Sequence, residues 1–460
     1  MNKVATPTAS PDSGLFDVTH QITLTCATPG ALIYYTLDGT TPNGTTTLFN
    51  PYRLIPIEAK SDGEKGLRTR YIVRAIAVKE GMEDSEVATF VYTVNRRDKN
   101  EYVSKEIHPG IWMISDYDND KMFLVRGHEK ALLIDAGYGS GNLREYVESL
   151  TEGLPLEVLI THAHPDHVAL VGQFQDDFNV YMHRLDMPRL NTFIKVNHFE
   201  IDTAKIKDVV EGFVFDLGGR KLKVYEVPGH SAGSIVLMDE ENGYLFSGDA
   251  VGSNRATIVD SVWMQMPGMA LIDEYLSTLR VFRSKVGGRL KEIFTGHNDQ
   301  PIIGETYLNN LERAAQNLVD WGDEVLVPSF RPPDVSQVIV GDRFTDPNWV
   351  SINVTKDKYL TRLPEEIATL SNLQLSAATL DVGFIPSHYR YNAVVDKRVT
   401  TIRITLTATS SRYRGIKING ASVKSGVPYT ANLAAGDNQF AIVVTAPNGK
   451  TTHRYTLRVM

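Results

Sequence analysis

The sequence predicts an α/β domain set between two all-β domains, and three observations carry that prediction. Residues 1–95 and 364–460 alternate apolar and polar positions in short runs broken by Gly, Pro, Asn and Asp, the period-two pattern of half-buried strands. Between them, from about 102 to 358, strand-like runs alternate with stretches of helical spacing. Five of the central apolar runs end in an acid or an imidazole, which is where sites gather in α/β sheets.

Length agrees with this division, since 460 residues suggest about three domains. An apolar fraction of 42% and a charged fraction of 22% fit a globular protein able to bury real cores. The net charge of -8 gives no support for nucleic-acid or anionic-membrane binding. No apolar run approaches the ~20 residues of a membrane helix. The single cysteine, Cys26, excludes an intramolecular disulfide and reads as a small core residue. Residues 1–10 hold one lysine and no apolar stretch, so they are not a signal peptide. Either the protein stays inside the cell, or a signal has already been removed.

Taken in order, residues 21–26, 32–37, 71–78 and 89–94 are the clearest strands of the first domain. The string Ile33-Tyr34-Tyr35-Thr36-Leu37-Asp38-Gly39-Thr40-Thr41-Pro42, with Arg74-Ala75-Ile76-Ala77-Val78, Ser85 and Tyr92, resembles the immunoglobulin-like module at the C-terminus of chitobiases and β-hexosaminidases. That resemblance implies a secreted or surface enzyme, with the module acting as a spacer or binding glycan through Tyr34 and Tyr35. Aromatics at such strand positions are more often core. Residues 96–101 are polar and aperiodic, and the junction is expected there. Helices are predicted over 271–286, from Leu271, Tyr275, Leu279 and Phe282, and over 307–321, from Leu308, Leu311, Ala315 and Leu318. Strands return at 402–408, 416–418, 440–445 and 455–459. There Leu370-Ser371-Asn372-Leu373, Phe384-Ile385-Pro386 and Gly436-Asp437-Asn438 resemble cadherin-like β-sandwich modules of bacterial surface proteins, which implies an architectural role.

The chemistry concentrates in His162-Ala163-His164-Pro165-Asp166-His167, after the apolar run Leu156–Ile160 and before 168–174, which can begin a helix. In an extended segment alternate side chains share a face, so His162 and His164 can grip one ion together. Pro165 suits a first helical turn and would send Asp166 and His167 towards a second ion. Three further runs end in Pro228-Gly229-His230, Ser247-Gly248-Asp249 and Thr295-Gly296-His297, and a fourth in Asp135-Ala136-Gly137. Glycine beside a ligand lets the backbone turn sharply and approach an ion closely. Mixed imidazole and carboxylate donors suit zinc, with iron or manganese as alternatives.

These residues in this order resemble the metallo-β-lactamase-fold hydrolases over roughly residues 102–320, with the ligand set of glyoxalase II and the lactonases. The resemblance implies an αββα sandwich with a two-metal site on one edge. It implies that His162, His164 and His230 hold the first ion, that Asp166, His167 and His297 hold the second, and that Asp249 bridges them. Asp166 and Asp249 are thereby the candidate catalytic carboxylates. Asp135 matches the strand-end aspartate that orders the ligand loop without binding metal. The implied reaction is attack by a metal-bridging hydroxide on a carboxylic ester, lactone or thioester, with a phosphodiester as the alternative.

Departures narrow the choice. True β-lactamases of this fold have cysteine or serine in place of Asp249, and flavo-diiron reductases have glutamate in place of His164. RNA-processing relatives carry an insertion that this sequence lacks. Glyoxalase II follows its ligands with a helical segment, whereas here one helix is followed by loops and a β module. His183, Asp186, Trp263, Gln265 and Met266 are candidate pocket residues, and residues 191–200, which include His198, could form a lid. The reading from another class is a non-catalytic surface protein on a hydrolase-like scaffold. Expected partners are a small-molecule substrate and glycan or cell wall at the terminal modules. Those modules suggest export; a cytoplasmic location is the alternative.

Overall fold

The computed structural model describes residues 2–16, 20–49, 55–57, 68–95, 100–117, 120–252, 261–264, 268–298, 301–328, 335–340, 349–355, 364–381, 383–384, 386 and 388–460. The expected junction at 96–101 therefore falls largely outside the described residues, as do Gln265 and Met266.

Two sheets face one another in the central domain. The first runs in the order Ile206–Asp208, Asn179–Met182, Leu156–Ile160, Ala131–Ile134, Lys121–Arg126, Ile111–Ser115, Val103–His108. Its first four strands are parallel and the rest antiparallel. The second contains Val214–Asp216, Lys221–Glu226, Ile235–Asp239, Tyr244–Gly248, Glu292–Thr295 and Ile302–Ile303. Its one parallel pair joins Tyr244–Gly248 to Glu292–Thr295. Strand Lys121–Arg126 shows why its residues read as a continuous apolar run. Phe123 and Val125 enter the core between the sheets, while Met122 and Leu124 enter the core beneath the outer helices.

Helices cover both outer faces, giving α/β/β/α layers. Leu143 and Val147 of α1 (Leu143–Thr151) and Leu190 of α3 (Met187–Asn197) pack on the first sheet. The short α2 (Pro165–Val168) opens at Pro165 and gives way to a 3₁₀ turn at Val171–Gln173, so the helix expected over 168–174 is shorter and starts earlier. Helices α4 (Ile272–Val286) and α5 (Gly304–Trp321) cover the second sheet, burying Tyr275, Leu279, Phe282, Leu308, Leu311, Ala315 and Leu318.

One part of the central region differs from expectation. The segment after α5 is not only loop: Val327–Pro328, Val335–Val340 and Val350–Thr355 form a sheet with Ser261–Met264, in the loop that follows Asp249. Its β-branched residues Val338, Val340, Val350 and Ile352 join the core of α4 and α5, while Trp349 packs in the core of the first domain.

Each terminal region is a pair of sheets around its own core. Residues Ile22, Val73, Ala75, Tyr92 and Val94 form the first, with Cys26 half-buried at its margin and Tyr35 against Phe49 at 6.3 Å. Ile404, Leu406, Ile442, Tyr455 and Leu457 form the other. The C-terminal sandwich is docked on the helices. Arg280 of α4 donates to Ser371 Oγ and to Ala408 O (3.1 Å), and Ser277 Oγ donates to Ser371 O at 2.7 Å. From α5, Gln316 donates to Thr409 O at 3.1 Å and Asp320 accepts from Ser410 and Ser411.

Candidate metal centre

The strand ends converge. Three groups of donor atoms lie within 4.8 Å of one another: His162, His164 and His230; His162, His167 and Asp249; and Asp166, His167 and His297. In the first group His164 Nδ1 faces His162 Nε2 at 3.0 Å and His230 Nε2 at 2.9 Å. Asp249 reaches both ends. Its Oδ2 is 3.6 Å from His230 Nε2 and 3.2 Å from His297 Nε2, and its Oδ1 is 3.6 Å from His167 Nε2. Asp166 Oδ2 stands 3.4 Å from His297 Nε2 and 4.0 Å from His167 Nε2. Six of the seven side chains are 0–4% exposed, and Asp166 is 24% exposed.

A divalent cation fits this donor set. His167 Nε2 and Asp249 Oδ1 are buried without a hydrogen-bond partner among the described residues, a costly state for polar atoms unless a ligand satisfies them. Three imidazole nitrogens about 3 Å apart, facing one another, suit a tetrahedral ion with Zn–N near 2.0–2.1 Å.

The outer nitrogens are held as metal-binding imidazoles require. His162 Nδ1 lies 3.2 Å from Thr161 Oγ1, which itself donates to Asp135. His167 Nδ1 meets Asp135 Oδ2 at 2.8 Å, His230 Nδ1 meets Trp263 O at 2.9 Å, and His297 Nδ1 meets Asp120 Oδ1 at 3.1 Å. In the neutral ring each acceptor keeps the proton on Nδ1 and leaves the Nε2 lone pair pointing inward. Only His164 departs, because its outer Nε2 lies 2.7 Å from Arg189 Nη1.

Burial pushes His162, His164 and His230 below the usual histidine range, so they are neutral. Burial also opposes charge on His167 and His297, but the neighbouring carboxylates win. Asp135 and Asp249 hold His167 well above its usual value, and Asp249 and Asp120 raise His297 to about 10. Burial would raise Asp249, yet His297 and His167 hold it well below the carboxylate range.

Asp135 stands outside the three groups. At φ 65° it turns the chain sharply, and its Oδ1 accepts from Thr161 N at 2.7 Å, which ties it to the start of the histidine loop. Asp186 is buried and accepts from Ala163 N (2.8 Å), Ser231 Oγ (2.7 Å) and Gly233 N (2.7 Å), pinning the His164 and His230 loops together. His183 is also apart from the cluster, bonded to Glu226 at 3.2 Å, and lines a cavity of about 400 Å³ that Phe384 of the C-terminal sandwich shares. Trp263 contributes its carbonyl. His198 ends α3 in the left-handed region and is exposed.

Asp120 and Arg189 were not anticipated. Asp120 precedes a strand, so a search for acids at strand ends passes over it. Arg189 lies on a helix with no sequence mark that it faces the site.

Comparison with known proteins gives matches to three family models. They are the metallo-beta-lactamase superfamily over residues 121–297, the cadherin-like beta sandwich domain over 370–460, and the chitobiase/beta-hexosaminidase C-terminal domain over 11–89. Among curated relatives, the chain is 28% identical over 231 residues to the acyl-coenzyme A thioesterase MBLAC2 of Gallus gallus, covering 43% of this chain and 80% of that protein. It is 27% identical over 156 residues to the atrochrysone carboxyl ACP thioesterase of Claviceps purpurea, covering 33% and 46%. A solved metallo-beta-lactamase from Pontibacter korlensis aligns over 47% of this chain and all of that one, at 18% identity and a TM-score of 0.38. No described helix is long and apolar enough to cross a membrane. The central domain belongs to the metallo-beta-lactamase superfamily of hydrolases, set between a chitobiase/beta-hexosaminidase C-terminal-type module and a cadherin-like β sandwich.

Proposed function

We propose that the chain hydrolyses a carboxylic thioester, or a related ester or lactone, with two divalent ions, most simply zinc. The observation that carries this is Asp249, whose two oxygens stand within 3.6 Å of nitrogens from both ends of the cluster. On this reading His162, His164 and His230 hold one ion, Asp166, His167 and His297 the other, and Asp249 both. Such a pair supplies hydroxide from water near neutral pH and polarises the carbonyl under attack.

The remaining work belongs to the chain. Asp135, Asp120, Thr161 and the Trp263 carbonyl fix the ring orientations, and Asp186 fixes the distance between two ligand loops. Asp166, the more exposed of the two ligand carboxylates, is the one available to hold the proton that water gives up. A new C–O bond replaces the C–S bond, and the thiolate leaves to collect a proton. The choice of thioester over the wider ester class is supported by the two relatives named as thioesterases.

Metal analysis joined to a panel of acyl-coenzyme A, aryl ester, lactone and bis-aryl phosphate substrates tests this. Thioester turnover that tracks bound metal is expected, whereas phosphodiester turnover alone would transfer the site to the alternative reaction. A pure, metal-loaded sample inert to the whole panel would support the non-catalytic scaffold. Asp249→Ala is expected to lose metal and nearly all turnover; an unchanged rate at full metal content sinks the dinuclear assignment. We place the protein at the cell surface, from its flanking modules. Retention on insoluble chitin or cell wall, lost on deleting residues 1–95, is the expected result.

A further inference from the structure

Charge is divided unevenly along this acidic chain. Residues 364–460 carry eleven Lys and Arg against five Asp and Glu, whereas residues 1–363 carry thirty-six against fifty. Basic charge concentrated on one domain of an acidic protein marks a surface for anionic partners. Part of that excess converges on one place in the C-terminal sandwich. The strands Arg390–Ala393 and Thr452–Val459 lie side by side and parallel, with Arg390 in register with Thr456. Alternation turns Tyr455 and Leu457 into the core and Arg454, Thr456 and Arg458 outwards. Arg458 is matched by Asp437 at 2.8 Å. Arg390 and Arg454 are exposed, and neither meets a carboxylate among the described residues. Both line a groove of about 510 Å³ together with Tyr389, Thr452, His453 and Thr456. Its aromatic wall is held in place: the Tyr389 ring lies 4.6 Å from that of His453 and 5.3 Å from that of Tyr455, and its carbonyl accepts from Thr456 N at 2.8 Å. Further along the sheet, Lys417 and Arg454 stand opposite Val443 from its two sides. Like charges gathered on one sheet face repel one another, and an anionic ligand relieves that repulsion.

We propose that this groove binds an acidic polysaccharide, one whose sugar rings carry carboxylates, and that the C-terminal sandwich is a point of attachment separate from the one ascribed to residues 1–95. Arg390 and Arg454 supply planar guanidiniums, which bind carboxylates through two parallel hydrogen bonds. Tyr389 beside the hydroxyls of Thr452 and Thr456 sets a flat apolar face next to polar groups. A sugar ring needs that pairing, since it presents C–H bonds on its face and hydroxyls on its edge. An anionic bilayer needs apolar side chains to insert beside the cations. The exposed large apolar residues described in this domain, Val394, Val427 and Met460, do not line the groove. The inference is independent of the metal reading of the central domain.

The test is calorimetric titration of the full chain with a short oligogalacturonate and with an uncharged malto-oligosaccharide of the same length. The wild type is expected to bind the acidic oligomer saturably, more weakly as salt rises, and to ignore the neutral one. Arg390→Gln with Arg454→Gln should weaken binding about tenfold, as the loss of two exposed charge contacts implies. Lys397→Gln with Arg398→Gln removes the same charge from an exposed turn outside the groove and should bind as the wild type does. Absence of binding by the wild type overturns the proposal. Equal weakening in the two double variants also overturns it, because net charge would then be responsible in place of the groove. Tighter binding of oligothymidylate, or of phosphatidylglycerol vesicles, gives the face to nucleic acid or membrane and overturns the saccharide assignment. Chito-oligosaccharide binding should be the same in the wild type and in Arg390→Gln with Arg454→Gln. A loss there would show neutral sugars in the groove and defeat the acidic reading. Binding of oligogalacturonate by a protein that ignores chitin supports this site and defeats only the role given to residues 1–95.

Discussion

Gly296→Ala puts one methyl group where the cluster has no room for it. A Cβ at that position would sit 2.4 Å from Asp249 Oδ1 and 2.7 Å from His167 Cε1. Ordinary carbon contacts begin near 3.5 Å, so the carboxylate or the ring must retreat by about 1 Å. A metal site tolerates departures of only about 0.2 Å in ligand distance. Asp249 and His167 therefore cannot both keep positions useful to an ion. The neighbourhood offers little relief, because His167 is pinned by Asp135 and Gly296 N donates to Gly248 O at 2.9 Å. Metal affinity should fall by at least about 100-fold, the upper end of what loss of a supporting contact costs. The fold should survive, since the added atom enters the ligand cluster rather than a hydrophobic core. The assay is metal content after dialysis against a chelator of graded affinity, with circular dichroism to verify folding. A folded Gly296→Ala protein that keeps wild-type metal occupancy through the series would refute the reasoning.

Other perturbations probe the support around the cluster. Asp120→Asn weakens the acceptor facing His297 Nδ1, and metal affinity should drop about 10- to 100-fold in the same dialysis series; an unchanged affinity would remove Asp120 from the site. His167 and His297 are held protonated near neutrality without metal, so both must shed a proton to become ligands. Metal uptake should therefore release up to two protons and its apparent affinity should rise with pH. Calorimetry in two buffers of different ionisation enthalpy measures this, and zero release contradicts it. Arg280→Ala removes one of the ties between α4 and the C-terminal sandwich, at a cost of about 1–3 kcal/mol for a part-buried, charge-assisted contact. Scanning calorimetry should show a lowered transition; an unshifted one would mean that the two units are not coupled through Arg280.

The recurring strand-end pattern made the candidate ligand set legible. Each of His162, His230, Asp249 and His297 follows an apolar run, and a chain leaving a buried strand must deliver its next side chains at the sheet edge. The outer supports were much less legible. Asp120 meets His297 across 177 positions of sequence, and Asp186 meets Ser231 and Gly233 across 45 and 47. No local periodicity encodes such a contact. The sheet formed by 261–264 and 327–355 was missed for a related reason. Its strands are β-branched and readable singly, but their pairing is non-local and needs the packing of α4 and α5 to settle it.

The sequence by itself determined the three-part organisation, the apolar strands and the seven candidate donor side chains, because periodicity and residue chemistry are local properties. Only the tertiary structure decided which nitrogen of each imidazole faces inward, which carboxylate or carbonyl holds the other, and that Arg189 confronts His164. Those depend on side chains brought together from different strands and helices, where a rotation about one bond exchanges donor for acceptor.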